Sequence, residues 1–441
     1  MYVCGPTVDN LPHLGHGRFS LVWDVARRWF TFQGLAVNYV SNITDVDDKI
    51  IARAALEGTS VEAVVARYEG EWWDAMDRLN VARPDSAPHA THYVSEMIDL
   101  VGALIERDVA YETSDGVYFD VSSVPDYGRL AGQPLASLRA GARVEASEEK
   151  RSPLDFALWK RAKPGEVSWA APFGLGRPGW HTECVVMALD LLGEDFDLHC
   201  GGLDLKFPHH ENERAQASAS HKLFARHWAH NGSVMVGEEK MSKSLGNFTS
   251  LTELLTTTDP RAYRLLVLRS HYRSPLDVTP DIVADAQRSL ARLDALARRF
   301  APFEEDGAMV RASDYDFEDE SRELYERVTA AMCDDLNTPL AVAELFEAVS
   351  AANGLSDGGR PAAARRLART VSVLFASLGL RLEAKREEID EVAATLVAQR
   401  DGARTARQWA EADRLREALE ERGWVVEDGP DGTVLRHRRA P

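Results

Sequence analysis

The apolar positions near the start of the chain predict a strand, a helix and a second strand. The first strand signal is Tyr2-Val3-Cys4, which Gly5-Pro6 stops. Apolar residues at spacings of three and four then define one face of a helix, namely Leu21, Val22, Val25, Ala26, Trp29 and Phe30. The apolar run over residues 35–40 predicts the next strand. This order is typical of a parallel sheet in an α/β fold.

The pattern changes further along the chain. Residues 50–112 predict mostly helix, whereas a short strand at 117–119 and loops rich in proline and glycine indicate an insertion over 113–170. A helix over 184–192 and a strand over 196–199 restore the α/β pattern. From residue 250 onward the chain is predicted to be helical, with no internal repeat.

The end of the chain predicts a helix followed by a hairpin. The helix has apolar residues at Trp409, Ala412, Leu415 and Leu419, and Gly423 ends it. Two short apolar runs, 424–426 and 433–435, then flank a DGPDG turn.

Composition narrows the class of protein. A length of 441 residues corresponds to two to four domains, and 45% hydrophobic with 27% charged residues is typical of a globular chain. Four cysteines without a C-x-x-C pair do not form a disulfide framework, which indicates a reducing compartment. Because the sequence has neither a long apolar run nor a signal peptide, we expect a cytoplasmic protein with no membrane span.

The net charge of −19 would argue against a nucleic-acid partner, since phosphate contacts need Lys and Arg. The negative charge is nevertheless unevenly distributed, because the C-terminal tail is neutral. Residues 400–441 carry nine Arg against nine Asp plus Glu, and one predicted helix carries Arg288, Arg292, Arg298 and Arg299. Net charge describes solubility and long-range repulsion, so it does not exclude a local, salt-sensitive surface for RNA.

Two short segments have a composition suited to phosphate chemistry. The first, His13-Leu14-Gly15-His16, lies between a strand end and a helix start, where ligands of parallel sheets bind and helix N–H groups attract anions. The second is Lys240-Met241-Ser242-Lys243-Ser244, whose lysines and hydroxyls suit a polyphosphate. Each segment alone is compatible with an ordinary loop, so only their joint occurrence is informative.

With these motifs, the chain resembles the cysteinyl-tRNA synthetase family of class I aminoacyl-tRNA synthetases. The resemblance runs nearly end to end and rests on MYVCGPTV, HLGHGR, NITDVDDKI, RSPLDFALWK, GRPGWHTEC, GGLDLKFPHHENE, KMSKSLGN and ARQWAEADRLREAL. It implies a Rossmann-like parallel sheet with an insertion, followed by a helical bundle and a small C-terminal anticodon-binding domain. The expected segments are 1–112 and 171–249 for the two halves of the catalytic domain, 113–170 for the connective insertion, 250–385 for the stem-contact region and bundle, and 386–441 for the anticodon-binding domain.

Cysteine, histidine and glutamate residues could form a metal site. His209 and Glu213 are four residues apart and share a helix face, and with Cys4 and Cys184 they would make a tetrahedral zinc set. The residues alone leave His181, Cys200, His210 and Glu211 as competing ligands. The resemblance assigns one Zn²⁺ per chain to Cys4, Cys184, His209 and Glu213. Zinc prefers a soft thiolate to a hydroxyl. It would therefore discriminate cysteine from serine better than the shape of a binding pocket could.

The resemblance also implies the remaining site residues. Gly5, Thr44 and Trp180 are expected to line the cysteine pocket, although Trp180 could equally be a core tryptophan. The expected ATP-binding residues, with Mg²⁺ accompanying ATP, are His13, Gly15, His16, Gly201, Gly202, Asp204, Lys240, Met241, Ser242, Lys243 and Ser244. Among them, His13, His16, Lys240 and Lys243 are the expected catalytic residues.

The implied activity is that of a cysteine–tRNA ligase, a monomer whose partners are tRNA-Cys, ATP and L-cysteine. One alternative is a related ligase that joins cysteine to glucosaminyl-inositol in mycothiol synthesis, but those relatives lack the C-terminal part. A non-enzymatic RNA-binding paralogue would have damaged motifs, and here they are intact.

Three features depart from this pattern or compete with it. Asp9-Asn10 replaces the Tyr-Asp usual in the family, at a position beside the expected nucleotide site. Family members usually carry a lead-in strand of some two dozen residues before MYVCG, and without it we expect an unpaired sheet edge. Residues 174–179 match G-x-G-x-x-G, but we interpret them as a loop because no clear strand precedes them and Pro178 lies among them.

Overall fold

The computed structural model describes residues 1–132, 149–236, 239–240, 250–300, 309–384, 389–429 and 432–437. The chain forms two compact units. The first comprises Met1–Arg27, Ala36–Thr257 and Tyr272–Asp277. The second comprises Arg28–Leu35, Thr258–His271 and Val278–Pro441.

The described strands are short. They are β1 (Tyr2–Val3), β2 (Val40–Ser41), β3 (Ala110–Glu112), β4 (Gly116–Phe119), β5 (Phe156–Arg161), β6 (Gly176–Pro178), β7 (Leu198–Gly202), β8 (His227–Asn231), β9 (Val234–Val236), β10 (Glu239–Lys240), β11 (Leu276–Asp277), β12 (Trp424–Gly429) and β13 (Gly432–His437).

Helices account for more of the chain than strands. They are α1 (Leu14–Phe32), α2 (Asp48–Glu57), α3 (Val61–Arg78), α4 (Val94–Glu106), α5 (Trp180–Leu192), α6 (Glu211–Ala219), α7 (Leu251–Thr257), α8 (Pro260–Leu268), α9 (Pro280–Phe300), α10 (Glu320–Cys333), α11 (Thr338–Asp357), α12 (Pro361–Ser377), α13 (Glu391–Thr405) and α14 (Trp409–Glu421). None of the described helices has an apolar stretch long enough to cross a membrane.

A parallel sheet in the order β2-β1-β7-β8 organises the first unit. Strand β1 pairs with β7 so that Tyr2 lies opposite His199 and Val3 opposite Cys200. Helices α4 and α5 pack against this sheet through buried residues such as Met97, Val185 and Met187. The α/β class predicted from the sequence is therefore confirmed, and β1 carries Cys4 directly to the edge where parallel strands end.

An antiparallel sheet in the order β3-β4-β5-β6 follows in the chain. The loop interpretation of residues 174–179 is wrong, because Gly176–Pro178 is the edge strand β6 of this sheet. A Cβ at Gly176 would lie 2.3 Å from the carbonyl oxygen of Lys160, and one at Gly179 would lie 2.0 Å from that of Ala157. These glycines therefore allow close sheet packing, which gives the G-x-G-x-x-G match a structural reason unrelated to a nucleotide.

Two strand predictions need correction. The strand expected over 35–40 is reduced to β2, because Leu35 is 60% exposed and only Val40 at its end is buried and paired. The strand expected over 196–199 begins at Leu198 and continues to Gly202, while Phe196 packs in the core before it. The helix expected from 184 begins earlier, at Trp180, where Gly179 is the N-cap.

The second unit is helical and ends in a hairpin, as predicted. Helix α9 buries one apolar face, and α10, α11 and α12 pack together in sequence order. After α14, Gly423 adopts a φ of +87°, a conformation that glycine tolerates, and the chain turns into β12. Strands β12 and β13 pair antiparallel, and Trp424 is buried against Ala393 and Leu419.

Candidate metal centre and active site

Three elements bring the predicted metal ligands together. Cys4 follows β1 and donates its backbone N–H to the carbonyl oxygen of Cys200, 3.3 Å away. Cys184 lies in the first turns of α5, and the wide turn Lys206–His210 with α6 supplies His209 and Glu213. The structure therefore joins residues that are about 180 positions apart in sequence.

The four predicted ligands form one buried cluster, with ligand atoms all within 4.8 Å of one another. Cys4 Sγ lies 3.9 Å from Cys184 Sγ and 3.7 Å from Glu213 Oε1. His209 Nε2 lies 3.5 Å from Cys184 Sγ and 3.1 Å from Glu213 Oε1. Two sulfurs, one imidazole nitrogen and one carboxylate oxygen are a donor set that suits zinc.

Burial makes this cluster costly to keep charged without a cation. It raises the pKa of the Cys4 thiol and the Glu213 carboxyl and lowers the pKa of His209. For Cys184, the hydrogen bond from Cys4 lowers the pKa, but burial and the charge of Glu213 raise it overall. A bound divalent ion reverses this preference, since it stabilises thiolate and carboxylate forms.

The competing ligands named from the sequence lie at different distances from the cluster. His210 Nε2 is 3.3 Å from Cys4 Sγ, and with His199 it forms a second ligand group that shares Cys4 and Glu213. His181 Nδ1 lies 2.8 Å from His209 Nδ1, the ring nitrogen that does not contact Cys184 or Glu213. The carboxylate of Glu211 instead accepts from the backbone of Ala131 and the guanidinium of Arg214, and the buried Cys200 belongs to neither group.

The three residues expected in the cysteine pocket surround this cluster. Trp180 stacks on His209 with ring centroids 4.0 Å apart and an interplanar angle of 25°. Thr44 is buried and donates its hydroxyl to Glu183 Oε2 at 3.1 Å. Gly5 lies against Asn42, just after β2, and an added Cβ would be 1.5 Å from the carbonyl oxygen of Asn42. Only glycine permits this close approach of the two chain segments.

Asn42 links these residues, although the sequence analysis did not single it out. Its Oδ1 accepts hydrogen bonds from the Tyr2 hydroxyl at 3.1 Å and the Gly5 backbone at 2.8 Å, and lies 3.8 Å from Cys184 Sγ. Its Nδ2 donates to Thr44 Oγ1 at 3.2 Å. A buried amide in a short NITD segment carries no sequence periodicity, so only the resemblance to the family could have indicated its importance.

The HLGH segment lies at the N-terminus of α1, as predicted. The rings of His13 and His16 stack with centroids 3.6 Å apart. Each backbone N–H donates to the other ring, from His13 to His16 Nδ1 at 3.3 Å and from His16 to His13 Nδ1 at 3.2 Å. Gly15 lies between them in the first turn of α1, at the helix end where N–H groups attract anions in general.

The remaining nucleotide residues are described in part. Gly201 and Gly202 end β7, and a Cβ at Gly201 would lie 2.6 Å from the His210 ring. Asp204 is exposed two residues later. Of the predicted loop, the backbone of Lys240 belongs to β10, whereas Met241, Ser242, Lys243 and Ser244 lie outside the described residues.

Comparison with known proteins agrees with this geometry. Residues 1–288 match the catalytic domain of tRNA synthetases class I (C), residues 327–383 match the DALR domain, and residues 386–436 match the cysteinyl-tRNA ligase anticodon binding domain. The fold is similar to that of Mycobacterium tuberculosis methionyl-tRNA synthetase in complex with methionyl-adenylate, with a TM-score of 0.61 at 16% identity. That superposition covers 86% of this chain and 89% of the other.

Two relatives are similar over almost their whole length. The cysteine–tRNA ligase of Alkalilimnicola ehrlichii is 46% identical over 448 residues, covering 99% of this chain and 94% of that protein. The cysteine–tRNA ligase of Methylobacillus flagellatus is 44% identical over 440 residues, again covering 99% and 94%. On this full-length identity and the match of the catalytic domain, the chain belongs to the cysteine–tRNA ligase family of class I aminoacyl-tRNA synthetases.

Proposed function

We propose that this member of the family activates L-cysteine with ATP, releasing pyrophosphate, and transfers the cysteinyl group to the 3′ adenosine of tRNA-Cys. The observation that carries the proposal is the buried cluster of Cys4, Cys184, His209 and Glu213. Cys4 of this cluster and the HLGH segment both follow β1, at the edge of the sheet where ligands of such folds bind.

The four cluster residues would hold one zinc ion. When bound, zinc supplies a soft Lewis acid that prefers the substrate thiolate to the hydroxyl of serine. Trp180, stacked on His209, closes one side of the pocket and fixes the imidazole plane. The Asn42 amide orients Thr44 and the Gly5 backbone on the other side, so the pocket is shaped before the substrate arrives.

The nucleotide would lie across the N-terminus of α1. Its phosphates, with Mg²⁺, would meet the helix N–H groups, His13, His16 and the lysines Lys240 and Lys243, while Asp204 would accept from a ribose hydroxyl. The amino-acid carboxylate would then attack the α-phosphate and displace pyrophosphate, and the tRNA hydroxyl would subsequently attack the cysteinyl carbonyl and displace AMP. Neither step needs a protein nucleophile, because positioning and stabilisation of phosphate charge supply the catalysis.

A tRNA is favoured over an amino-sugar as the acceptor. The carrying observation is the match of residues 386–436 to an anticodon binding domain, which a sugar ligase has no use for. The same match supports the proposed C-terminal domain at 386–441. The antiparallel sheet formed by β3 to β6 supports a connective insertion within the catalytic domain. A monomer in the cytoplasm is part of the same proposal.

The test is cysteine-dependent exchange of pyrophosphate into ATP with the zinc-loaded protein, followed by charging assays. We expect exchange with cysteine and little with serine, and transfer to tRNA-Cys. Exchange followed by ligation only to glucosaminyl-inositol would replace the acceptor in this proposal. Absence of exchange in the zinc-loaded protein would overturn the adenylation step itself.

A further inference from the structure

Arg18 follows the HLGH segment on α1, and its side chain is buried, with 1% of the residue surface exposed. The guanidinium donates to three backbone carbonyl oxygens, that of Ser233 at 2.8 Å, that of Tyr272 at 3.2 Å and that of Ser274. A buried charge is costly to desolvate, so these acceptors hold the planar guanidinium in a fixed orientation. Because the side chain is buried, it acts on these segments and not directly on a bound nucleotide.

The three carbonyl groups lie where two segments of the first unit meet. Ser233 precedes β9, whereas Tyr272 and Ser274 precede β11, which pairs parallel with β9. Backbone hydrogen bonds join the two segments, from Gly232 N–H to the Tyr272 carbonyl at 2.7 Å and from Leu276 N–H to the Ser233 carbonyl at 2.9 Å. Arg18 therefore holds this junction of β9 and β11 against α1.

The junction determines where the backbone of Lys240 lies relative to HLGH. Strand β9 pairs antiparallel with β10, which contains the Lys240 backbone. Further along the chain, Leu251 N–H donates to the Pro12 carbonyl at 3.0 Å, and Ser250 forms a β-bridge with His13. The start of α1 and the residues just before it thus contact the chain on both sides of Lys240 in sequence.

We propose that Arg18 is a positioning residue for the adenylation step, in which it sets the distance between the histidines of HLGH and Lys240. This role rests on the proposed function, in which these groups meet the phosphates of ATP. Phosphate charge is stabilised best by groups already in place, and a misplacement of about 1 Å can cost about 100-fold in rate. Lysine at position 18 would keep the positive charge but lacks the planar fork that reaches several carbonyl groups at once.

The two half-reactions should respond differently to a change at Arg18. Pyrophosphate leaves in the first step, so the phosphate contacts of Lys240 are used there and no longer exist when the tRNA hydroxyl attacks the cysteinyl carbonyl. A displaced junction should therefore slow adenylation and leave the transfer step nearly unchanged. Partial unfolding, in contrast, would lower the amount of active enzyme for both steps.

The experiment compares Arg18→Ala and Arg18→Lys with the parent, each full length and zinc-loaded. Cysteine-dependent pyrophosphate exchange gives kcat and the KM for ATP, with active sites counted from the adenylate formed in a single turnover. Rapid mixing of the isolated enzyme–adenylate complex with tRNA-Cys gives the transfer rate. We expect kcat for exchange to fall by about 100-fold in Arg18→Ala and about 10-fold or more in Arg18→Lys. The KM for ATP and the transfer rate should change by less than about 3-fold.

Arg27→Lys is the matched control on the same helix. The guanidinium of Arg27 is also largely buried, but it donates to the Arg83 carbonyl at 2.6 Å and to the carboxylate oxygens of Asp85 at 2.9 and 3.0 Å. These acceptors do not belong to the junction of β9 and β11. The control variant should lose stability in denaturant unfolding and keep the parental rates of both half-reactions.

A double variant tests whether Arg18 acts through Lys240. Lys240→Ala alone should slow exchange, because it removes a proposed phosphate contact. If Arg18 positions that contact, adding Arg18→Lys to Lys240→Ala should slow exchange by less than about 3-fold more. Two effects that multiply in the double variant would overturn the proposal, since the residues would then act separately.

The other outcomes are also distinct. Exchange by Arg18→Lys at the parental kcat would overturn the proposal, as would equal slowing of exchange and transfer, because Arg18 would then only stabilise the fold. If Arg18→Ala does not fold, the comparison of Arg18→Lys with Arg27→Lys decides. A parent protein without exchange would overturn the proposed function and this role with it, whereas an active parent with an unaffected Arg18→Lys variant would overturn the role of Arg18 alone.

Discussion

The sulfur atom of Cys184 should be needed for the buried cluster to bind zinc. It lies 3.9 Å from Cys4 Sγ and 3.5 Å from His209 Nε2. In Cys184→Ser the hydroxyl stays protonated and is a poor zinc ligand, so we expect zinc and cysteine binding to weaken by about 100-fold or more, with ATP binding changed little. Metal titration and separate binding assays for cysteine and ATP measure this.

Cys200→Ser is the matched control for that prediction. Cys200 is equally buried and lies in β7, opposite Val3 of β1, but it belongs to neither ligand group. Its serine variant should lose some stability yet keep the zinc stoichiometry. If the two variants lost zinc equally, Cys184 would be a packing residue and not a ligand.

Gly5→Ala tests the close approach of the chain segments beneath the pocket. The added Cβ would overlap the carbonyl oxygen of Asn42, which is backbone and cannot rotate away. We expect the free energy of unfolding to fall by about 3 kcal/mol, toward the upper part of the usual range for overpacking. Denaturant unfolding of the parent and the variant measures the difference.

Gly70→Ala provides the opposite expectation at a glycine with free space. Gly70 lies inside α3, and nothing is within 4 Å of the position of its Cβ. Alanine there should stabilise the protein by about 0.5–1 kcal/mol, because it is the better helix former. A comparable loss of stability in both variants would contradict the steric argument for Gly5.

Predicting the ligands from residues alone reached a physical limit at His209 and His210. Helical spacing relates His209 to Glu213, but adjacent histidines differ only in the direction of their rings. That direction depends on the turn before α6 and on β1 and β7, which are distant in sequence. The resemblance named His209, and the structure shows that His210 also reaches Cys4.

The C-terminal hairpin, formed by β12 and β13, should become less stable at low pH. Burial alone would raise the pKa of Asp428, but the hydrogen bonds from Arg400 and Arg404 lower it below its usual range. A lowered pKa stabilises the folded form above the normal pKa of about 4, and this stabilisation is lost as pH falls through the folded value. We therefore expect β12 and β13 to loosen below pH of about 4.

Hydrogen exchange of the β12 and β13 amides over a pH series measures this effect. Asp428→Asn removes the titrating group and should flatten the acid dependence of the hairpin while leaving that of α3 unchanged. An identical acid response in the variant and the parent would assign the loosening to other carboxylates.

Elements differed in how well their patterns predicted them, for a physical reason. Helix α1 spans 19 residues, and the end of the chain contains α14 and its hairpin, so many positions support each prediction. Strand β2 has two residues, and its register is determined by pairing with β1 rather than by its own side chains. The run over residues 35–40 satisfies the apolar pattern, although Leu35 is exposed and not part of the hydrophobic core.

At the scale of the whole molecule, the net charge of −19 means that the proposed tRNA binding would depend on local arginines. Within α9 those arginines also serve the protein itself, since Arg298 holds Glu427 at 2.8 Å and Arg299 bonds Asn353 at 2.7 Å. Arg288 is 70% exposed beside Asp285, an arrangement in which a phosphate can compete with the carboxylate.

Salt should therefore weaken tRNA binding much more than it slows pyrophosphate exchange. Raising the salt concentration from about 50 to 200 mM should weaken tRNA binding roughly 10-fold or more, because counterions are released on phosphate contact. Pyrophosphate exchange, which involves no tRNA, should change by less than about 2-fold over that range. Equal salt sensitivity of both activities would contradict a local electrostatic tRNA surface.

The lack of room for any side chain at Gly5 also has a genetic consequence. Every missense change of a glycine codon introduces a side chain with a Cβ, and that atom is the one that meets the Asn42 carbonyl. All amino-acid substitutions at position 5 therefore share one defect, whatever their polarity or charge. In a saturation library selected for growth on this ligase, we expect codon 5 to retain glycine alone, whereas codon 70 tolerates many residues.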